Sequence, residues 1–270
     1  MTANTGDMSA ICADLRAEHE AVDGLVAMLA EADWDRQTPA PGWAIRDQVS
    51  HLAYFDRAAI TAVTEPERFQ AETAALLAAP QGLGDRDLAL GRSATGAGLL
   101  LAWREGGRAL LGAFAPLDPK ARIPWYGPAM GALSFATARL METWAHAQDI
   151  ADTLGLRRPA TERLRHVAHL GVLARPFSFA AHGRQAPPDP VRVELTSPSG
   201  DRWDWGAEDA TDRVAGPALD FCLVVTQRRH PIDTDLVVVG EVASEWIGIA
   251  QAFAGPPGSG RAPGQFARRV

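Results

Sequence analysis

Arg139-Leu140-Met141-Glu142-Thr143-Trp144-Ala145-His146-Ala147-Gln148-Asp149 sets a glutamate four positions ahead of a histidine. On an α-helix, side chains four apart rise from the same face one turn from each other and can share a ligand. A carboxylate oxygen and a neutral imidazole nitrogen are ordinary donors to zinc and similar divalent metals. Two donors do not close a site, so a third must come from elsewhere. Asp47-Gln48-Val49-Ser50-His51-Leu52 offers His51 on another helix, and in a helical bundle a pair and a single ligand on two helices can meet in the interior. Three protein ligands, His51, Glu142 and His146, would leave a coordination position for water or substrate, as in a catalytic metal site.

Spacing alone leaves a plainer reading open. An isolated histidine on an amphipathic helix is commonly a half-buried polar residue, and seven histidines make chance pairings easy to find. His166 and His169 form a rival pair, in a Leu- and Arg-rich segment with no obvious third ligand. His19, His182 and His230 read as solvated or locally bonded. Asp47 and Asp149 lie within a turn of a histidine and could orient an imidazole, although solvation on a helix surface is the favoured reading of both.

Outward from these two segments the first half reads as helices. Apolar residues at spacings of three and four predict helices over Met8–Ala32, from about Ile45 to Thr64, over roughly Ala94–Phe114 and from about Ala132 to Leu154. Pro66–Pro80 reads as partly helical, Gln81–Asp87 as a loop, and Arg122–Gly131 as non-helical because of its prolines. Four long helices with Pro- and Gly-rich connections predict an antiparallel bundle over residues 1–158. Thr161–Ala181 reads as one helix, and residues 159–190 as helix and linker. Residues 191–256 read as a small α+β domain: a hairpin of Val191–Leu195 with Arg202–Gly206, a helix at Pro217–Gln227, a strand at Asp235–Val239 and a helix at Ala243–Phe253. The Gly-, Pro- and Arg-rich residues 257–270 read as a disordered tail. The fold class is therefore α+β.

Composition narrows the partners. The 270 residues are 47% hydrophobic and 22% charged with a net charge of -7, a balance that supports a buried core and argues against a nucleic-acid partner. Cys12 and Cys222 lie far apart, without metal-cluster spacing. The polar start of the chain lacks the features of a secretory signal, and the apolar runs are too short for a membrane span, so the reading is cytoplasmic with no membrane partner. Monomer and homodimer both remain open.

Ala40-Pro41-Gly42-Trp43, Arg46-Asp47-Gln48-Val49-Ser50-His51-Leu52 and Phe55-Asp56 resemble the second-helix signature of the DinB-like superfamily. More specifically, they and Glu142-Thr143-Trp144-Ala145-His146-Ala147-Gln148-Asp149-Ile150 are similar to the actinobacterial branch typified by mycothiol-dependent maleylpyruvate isomerase. The resemblance covers most of the chain. It implies a four-helix bundle with a small C-terminal α+β domain, and it places the family's metal triad on His51, Glu142 and His146.

It also implies a thiol cosubstrate, mycothiol or a similar small thiol, acting with a small-molecule substrate. An arginine of the C-terminal domain that helps to bind an acidic substrate would fall on Arg228 or Arg229. For those two the competing reading is solvation at a helix C-terminus, where the dipole favours them. The Trp125-Tyr126-Gly127-Pro128 loop could wall the pocket mouth or simply pack. Zinc suits the donor set, while nickel, iron or manganese could occupy it. Two other functions share the triad: metal-assisted hydrolysis, with Asp56 or Asp149 as base, and non-catalytic, metal-dependent ligand binding.

Overall fold

The computed structural model describes residues 7–79 and 85–266. The chain divides into two compact units, Met1–Arg157 and Arg158–Val270. In the first, α1 (Met8–Val26) begins where the Asp7 carboxylate accepts the Ser9 amide, satisfying one of the donors a helix start leaves unpaired. Periodicity predicts this helix to Ala32, but it stops at Val26 and a single 3-10 turn covers Glu31–Asp35. The turn buries Trp34 in the core and leaves Met28 in solvent.

Next come α2 (Ile45–Thr64), α3 (Pro66–Ala78), α4 (Ala89–Ser93), α5 (Gly96–Phe114) and α6 (Ala132–Leu154). The short α4 is not foreseen in the sequence, and the predicted loop at residues 81–84 lies outside the described residues. Between α5 and α6 the proline-rich stretch is closed by two short antiparallel strands, β1 (Arg122–Ile123) and β2 (Met130–Gly131). α6 ends at Gly155, whose φ of 69° is the left-handed conformation that glycine adopts without steric cost.

The long helices α1 and α2 each pack on both α5 and α6. Ile45, Val49 and Leu52 form the inward stripe of α2 and meet Val22, Leu99, Trp103 and Ile150. Trp34 lies against the start of α5, where a β-carbon on Gly96 would stand 2.2 Å from the indole nitrogen. Gly96→Val should therefore overpack this end of the bundle and lower stability by about 1–3 kcal/mol. Denaturant unfolding measures the loss, and Trp34→Leu in the same chain should recover part of it.

In the second unit α7 (Leu164–Leu173) and α8 (Arg175–Ala181) replace the one helix expected over Thr161–Ala181. Pro176 has no amide hydrogen to return to the previous turn, so the helix breaks at Ala174. A four-stranded sheet has the order β4-β3-β5-β6, from β3 (Val191–Thr196), β4 (Arg202–Trp205), β5 (Asp212–Pro217) and β6 (Val237–Val239). β3 and β4 form the predicted hairpin, with Val193 opposite Trp205. The unforeseen β5 runs parallel to β3, and β6 is antiparallel to β5. α9 (Ala218–Val225) packs on α7, and α10 (Glu241–Ile249) on α8 and the sheet.

Residues past 256 depart from the predicted disorder as far as they are described. The Gly258 amide donates to Gln251 Oε1 at 3.2 Å, and the Gly264 amide to the Asp233 carboxylate at 2.9 Å. These backbone bonds hold a segment whose composition alone predicts no structure. Residues 267–270 lie outside the described residues. Among the described residues no helix is long and apolar enough to cross a membrane.

A candidate metal centre

The packing of α2 on α6 brings His51 to Glu142 and His146. One donor atom from each lies within 4.8 Å of the donor atoms of the other two. His146 Nε2 is 3.4 Å from Glu142 Oε2, and the two imidazole centroids are 4.5 Å apart.

The other nitrogen of each ring is already engaged. His51 Nδ1 lies 2.7 Å from Asp87 Oδ2, and His146 Nδ1 lies 2.5 Å from Gln48 Oε1. An ionised carboxylate only accepts, and Gln48 is oriented by its own donation from Nε2 to Thr38 Oγ1 at 2.9 Å. The hydrogen-bond network thus assigns the proton to Nδ1 of each neutral imidazole and the lone pair to Nε2. That is the form in which an imidazole coordinates a metal, with an outer acceptor fixing its tautomer.

Asp87 is held by a segment pressed onto α2. Ser50 Oγ donates to the Asp87 carbonyl at 2.8 Å and accepts the Gly91 amide at 2.9 Å. Arg46 donates to the carbonyls of Gly91 and Ala94 at 2.7 and 3.1 Å. A β-carbon on Gly91 would stand 2.7 Å from the Arg46 carbonyl oxygen, so only glycine allows this approach.

Electrostatics complete the donor set. Burial pushes the Glu142 carboxyl up, but the hydrogen bond and charge of His146 when its ring is protonated, with the charges of protonated His51 and of Arg139, outweigh it and hold the pKa down to about 2. Glu142 is a carboxylate at neutral pH. Aromatic rings flank the imidazoles: Trp43 lies nearly parallel to His146 at 5.8 Å, and Phe55 is 4.6 Å from His51. Two imidazole nitrogens with satisfied outer partners and one carboxylate oxygen fit a divalent metal with an open position.

Other candidates take different places. Asp47 is buried, accepts the Ala44 amide at 2.9 Å and pairs with Arg92, so it caps α2 rather than lying on a solvated surface. Asp149 is fully buried as well. Asp56 is buried against Arg139, which donates to Oδ1 at 2.8 and 3.2 Å. His182 and His230 are locally bonded as expected, whereas His19 is packed against Trp103 with Nε2 at 3.8 Å from Asp56 Oδ2. In the second unit His169 Nδ1 accepts from Trp205.

Arg228 and Arg229, also in the second unit, follow α9 where Gln227 takes a φ of 61°. Their amides donate to the Leu223 carbonyl at 2.7 and 3.1 Å. The Arg229 guanidinium is buried, 3.8 Å from the centroid of the Phe266 ring, and so is not the solvated group the sequence allows. Arg228 is partly exposed and lies over Phe253.

Asp87 and Gln48, the outer partners of the two imidazoles, are the site residues that sequence reasoning misses. Gln48 was legible, one turn before His51 on the same helix. Asp87 was not, because it lies 36 residues from its partner in a run without periodicity.

The chain is 48% identical over 255 residues to uncharacterized proteins of Mycobacterium tuberculosis strains CDC 1551 / Oshkosh and ATCC 25618 / H37Rv, covering 94% of this chain and 99% of each relative. Its fold matches crystal structures of mycothiol-dependent maleylpyruvate isomerase and of a histidine-to-alanine mutant of that enzyme, with TM-scores of 0.55 and 0.56. Sequence identity to both is 14%, and the matches cover 82% of this chain and 90% of those chains. Residues 187–239 are similar to a family described as wyosine base formation. Residues 15–151 match the mycothiol maleylpyruvate isomerase N-terminal domain, and this chain is a DinB-like member of that family.

Proposed function

We propose that this chain is a metal-dependent enzyme that uses mycothiol, or a similar small thiol, to isomerise or modify a small electrophilic substrate. The observation that carries the reading is the triad itself, with the second nitrogen of both imidazoles already bound by Asp87 and Gln48. His51, Glu142 and His146 would hold the metal, for which zinc suits the donors best. When bound, such a metal lowers the pKa of a thiol, which in solution is about 8.5, so that thiolate is available at neutral pH.

The residues of the chain account for the rest. Asp87 and Gln48 hold the donor tautomers, and Trp43 and Phe55 shield the imidazoles from water. The thiol adds across an activated double bond: sulfur bonds to one carbon and the proton ends on its neighbour. Rotation about the resulting single bond and expulsion of the thiol give the isomer; retention of the thiol gives a thioether. The family resemblance makes Arg228 or Arg229 the candidate to bind an anionic group of a substrate; within the second unit Arg228 is partly exposed and Arg229 lies over the Phe266 ring.

Hydrolysis loses support because both acidic residues available to it as a base, Asp56 and Asp149, are fully buried. Both cysteines are free and buried, which accords with a reducing, cytoplasmic compartment. Cobalt substitution tests the reading. Thiol added to the cobalt-loaded protein is expected to produce a near-ultraviolet sulfur-to-cobalt absorption band. Loaded protein whose spectrum does not respond to thiol would sink it.

A further inference from the structure

An aromatic layer extends from the triad across the face of the first unit. Phe55, beside His51, lies 6.1 Å from Trp125 and 5.8 Å from Tyr126, and Tyr54 lies 5.2 Å from Phe55. Trp43 lies 5.1 Å from the His51 ring and 5.8 Å from the His146 ring. Trp43, Tyr54, Phe55, Trp125 and Tyr126 are all partly exposed, a concentration of large rings that packing alone does not require.

The layer is rigid. Trp125 stacks on buried Phe69 at 5.5 Å with an interplanar angle of 4°, and its loop is closed by the pairing of Arg122 with Gly131 and Ile123 with Met130. It is also uncharged. Burial first, then the neighbouring Tyr54, push the Tyr126 phenol well above its ordinary range. Arg139, the cation whose charge reaches Glu142, is buried and spent on Asp56.

We infer that this layer, from Trp43 through Phe55 to Trp125 and Tyr126, binds the planar, uncharged part of the electrophile and selects aryl-conjugated substrates over small aliphatic ones. The inference rests on the thiol-using reading above. Conjugation both makes a carbon open to attack by a thiol and flattens the group around it, and flat groups stack on exposed rings. A body lying on Phe55 is held next to His51, so its reacting carbon is presented beside the triad.

Styrene oxide and propylene oxide carry the same reacting epoxide with and without the ring. In each reaction sulfur bonds to an epoxide carbon, the carbon–oxygen bond breaks, and the freed oxygen takes the proton given up by the thiol. With kcat/KM divided by the uncatalysed rate for each epoxide, the wild type should favour styrene oxide by about tenfold or more. Trp125→Leu should erase most of that preference while leaving metal content and the KM for thiol unchanged. Equal turnover of the two epoxides, or a variant whose KM rises for thiol instead, overturns the inference. Binding separates this failure from failure of the thiol reading. Inert 2-phenylethanol, but not 1-propanol, should shift the indole N–H resonances of Trp43 and Trp125, whether or not either epoxide is turned over. Resonances that move with neither alcohol would refute the layer as a binding surface even in a protein that holds metal and thiol.

Discussion

Replacing His51 and His146 together by alanine is expected to abolish stoichiometric metal binding and all thiol-dependent turnover, while Asp87→Ala should weaken metal binding by about ten- to a hundredfold. The two effects differ in kind. The double variant leaves Glu142 as a single donor, and one carboxylate does not hold a divalent ion against competing water. Asp87→Ala leaves all three donors in place but removes the acceptor 2.7 Å from His51 Nδ1. The His51 ring then loses the bond that fixes its tautomer and orientation, so part of the population carries the proton on the nitrogen that should coordinate. Gln48→Ala should act in the same way on His146, through the 2.5 Å bond to its Nδ1. Elemental analysis after dialysis against graded chelator orders the series. Wild type should retain metal longest, the Asp87 and Gln48 variants should lose it at lower chelator concentrations, and the double variant should never hold it. An Asp87→Ala protein that binds as tightly as wild type would show that the His51 tautomer is set by something else.

The two helices that carry the triad were legible because their apolar spacing and the four-residue interval from Glu142 to His146 are both properties of a single helix. α2 and α6 begin and end where that periodicity predicts. What escaped depends on contacts between distant segments. β5 starts with charged residues and ends in Gly216-Pro217, so it has the pattern of a loop, and it becomes a strand because β3 offers it a parallel partner from Val191 to Thr196. α1 stops at Val26, and the residues beyond it lead into the 3-10 turn that carries Trp34 into the core, a contact with α5 that spacing along one helix does not encode. Asp87 becomes a positioning residue because Gly91 lets its segment approach the backbone of α2, a fit between two surfaces that spacing does not encode. The burial of Asp47 and Asp149 departs from the expectation for a related reason. Charged residues on a helix are usually solvated, and only the packed bundle supplies the partners that allow them inside.

A partner of the same kind sets the other large effect: Arg139→Ala should cost about 3–5 kcal/mol of stability, because it leaves the Asp56 carboxylate buried without its cation. Arg139 and Asp56 have side-chain exposures of 4% and 0%, so solvent cannot replace the lost bonds. Removing both charges, in Arg139→Met with Asp56→Leu, should recover most of the loss, since the cost comes from the uncompensated charge more than from the bond. Denaturant unfolding of the single and double variants gives the coupling directly. Equal stability of the two would refute the pair as a charge-compensated unit.

The same cluster predicts how stability varies with pH. Burial, the largest influence, and the charge of Arg139 lower the His19 pKa below 6.5, while Asp56 and Glu18 raise it. Below pH 6.5 the unfolded chain therefore binds a proton at this histidine more readily than the folded one, and the contribution of His19 to stability falls as the solution is acidified. Arg139→Ala removes a charge that opposes protonation and leaves the Asp56 charge that favours it, so the His19 pKa should move back up. The acid-dependent part of the unfolding free energy should accordingly be smaller in Arg139→Ala than in wild type, even though the variant is less stable at neutral pH. NMR titration of the His19 ring follows the shift itself, and a pKa unchanged by the substitution would place His19 outside the electrostatic reach of the pair.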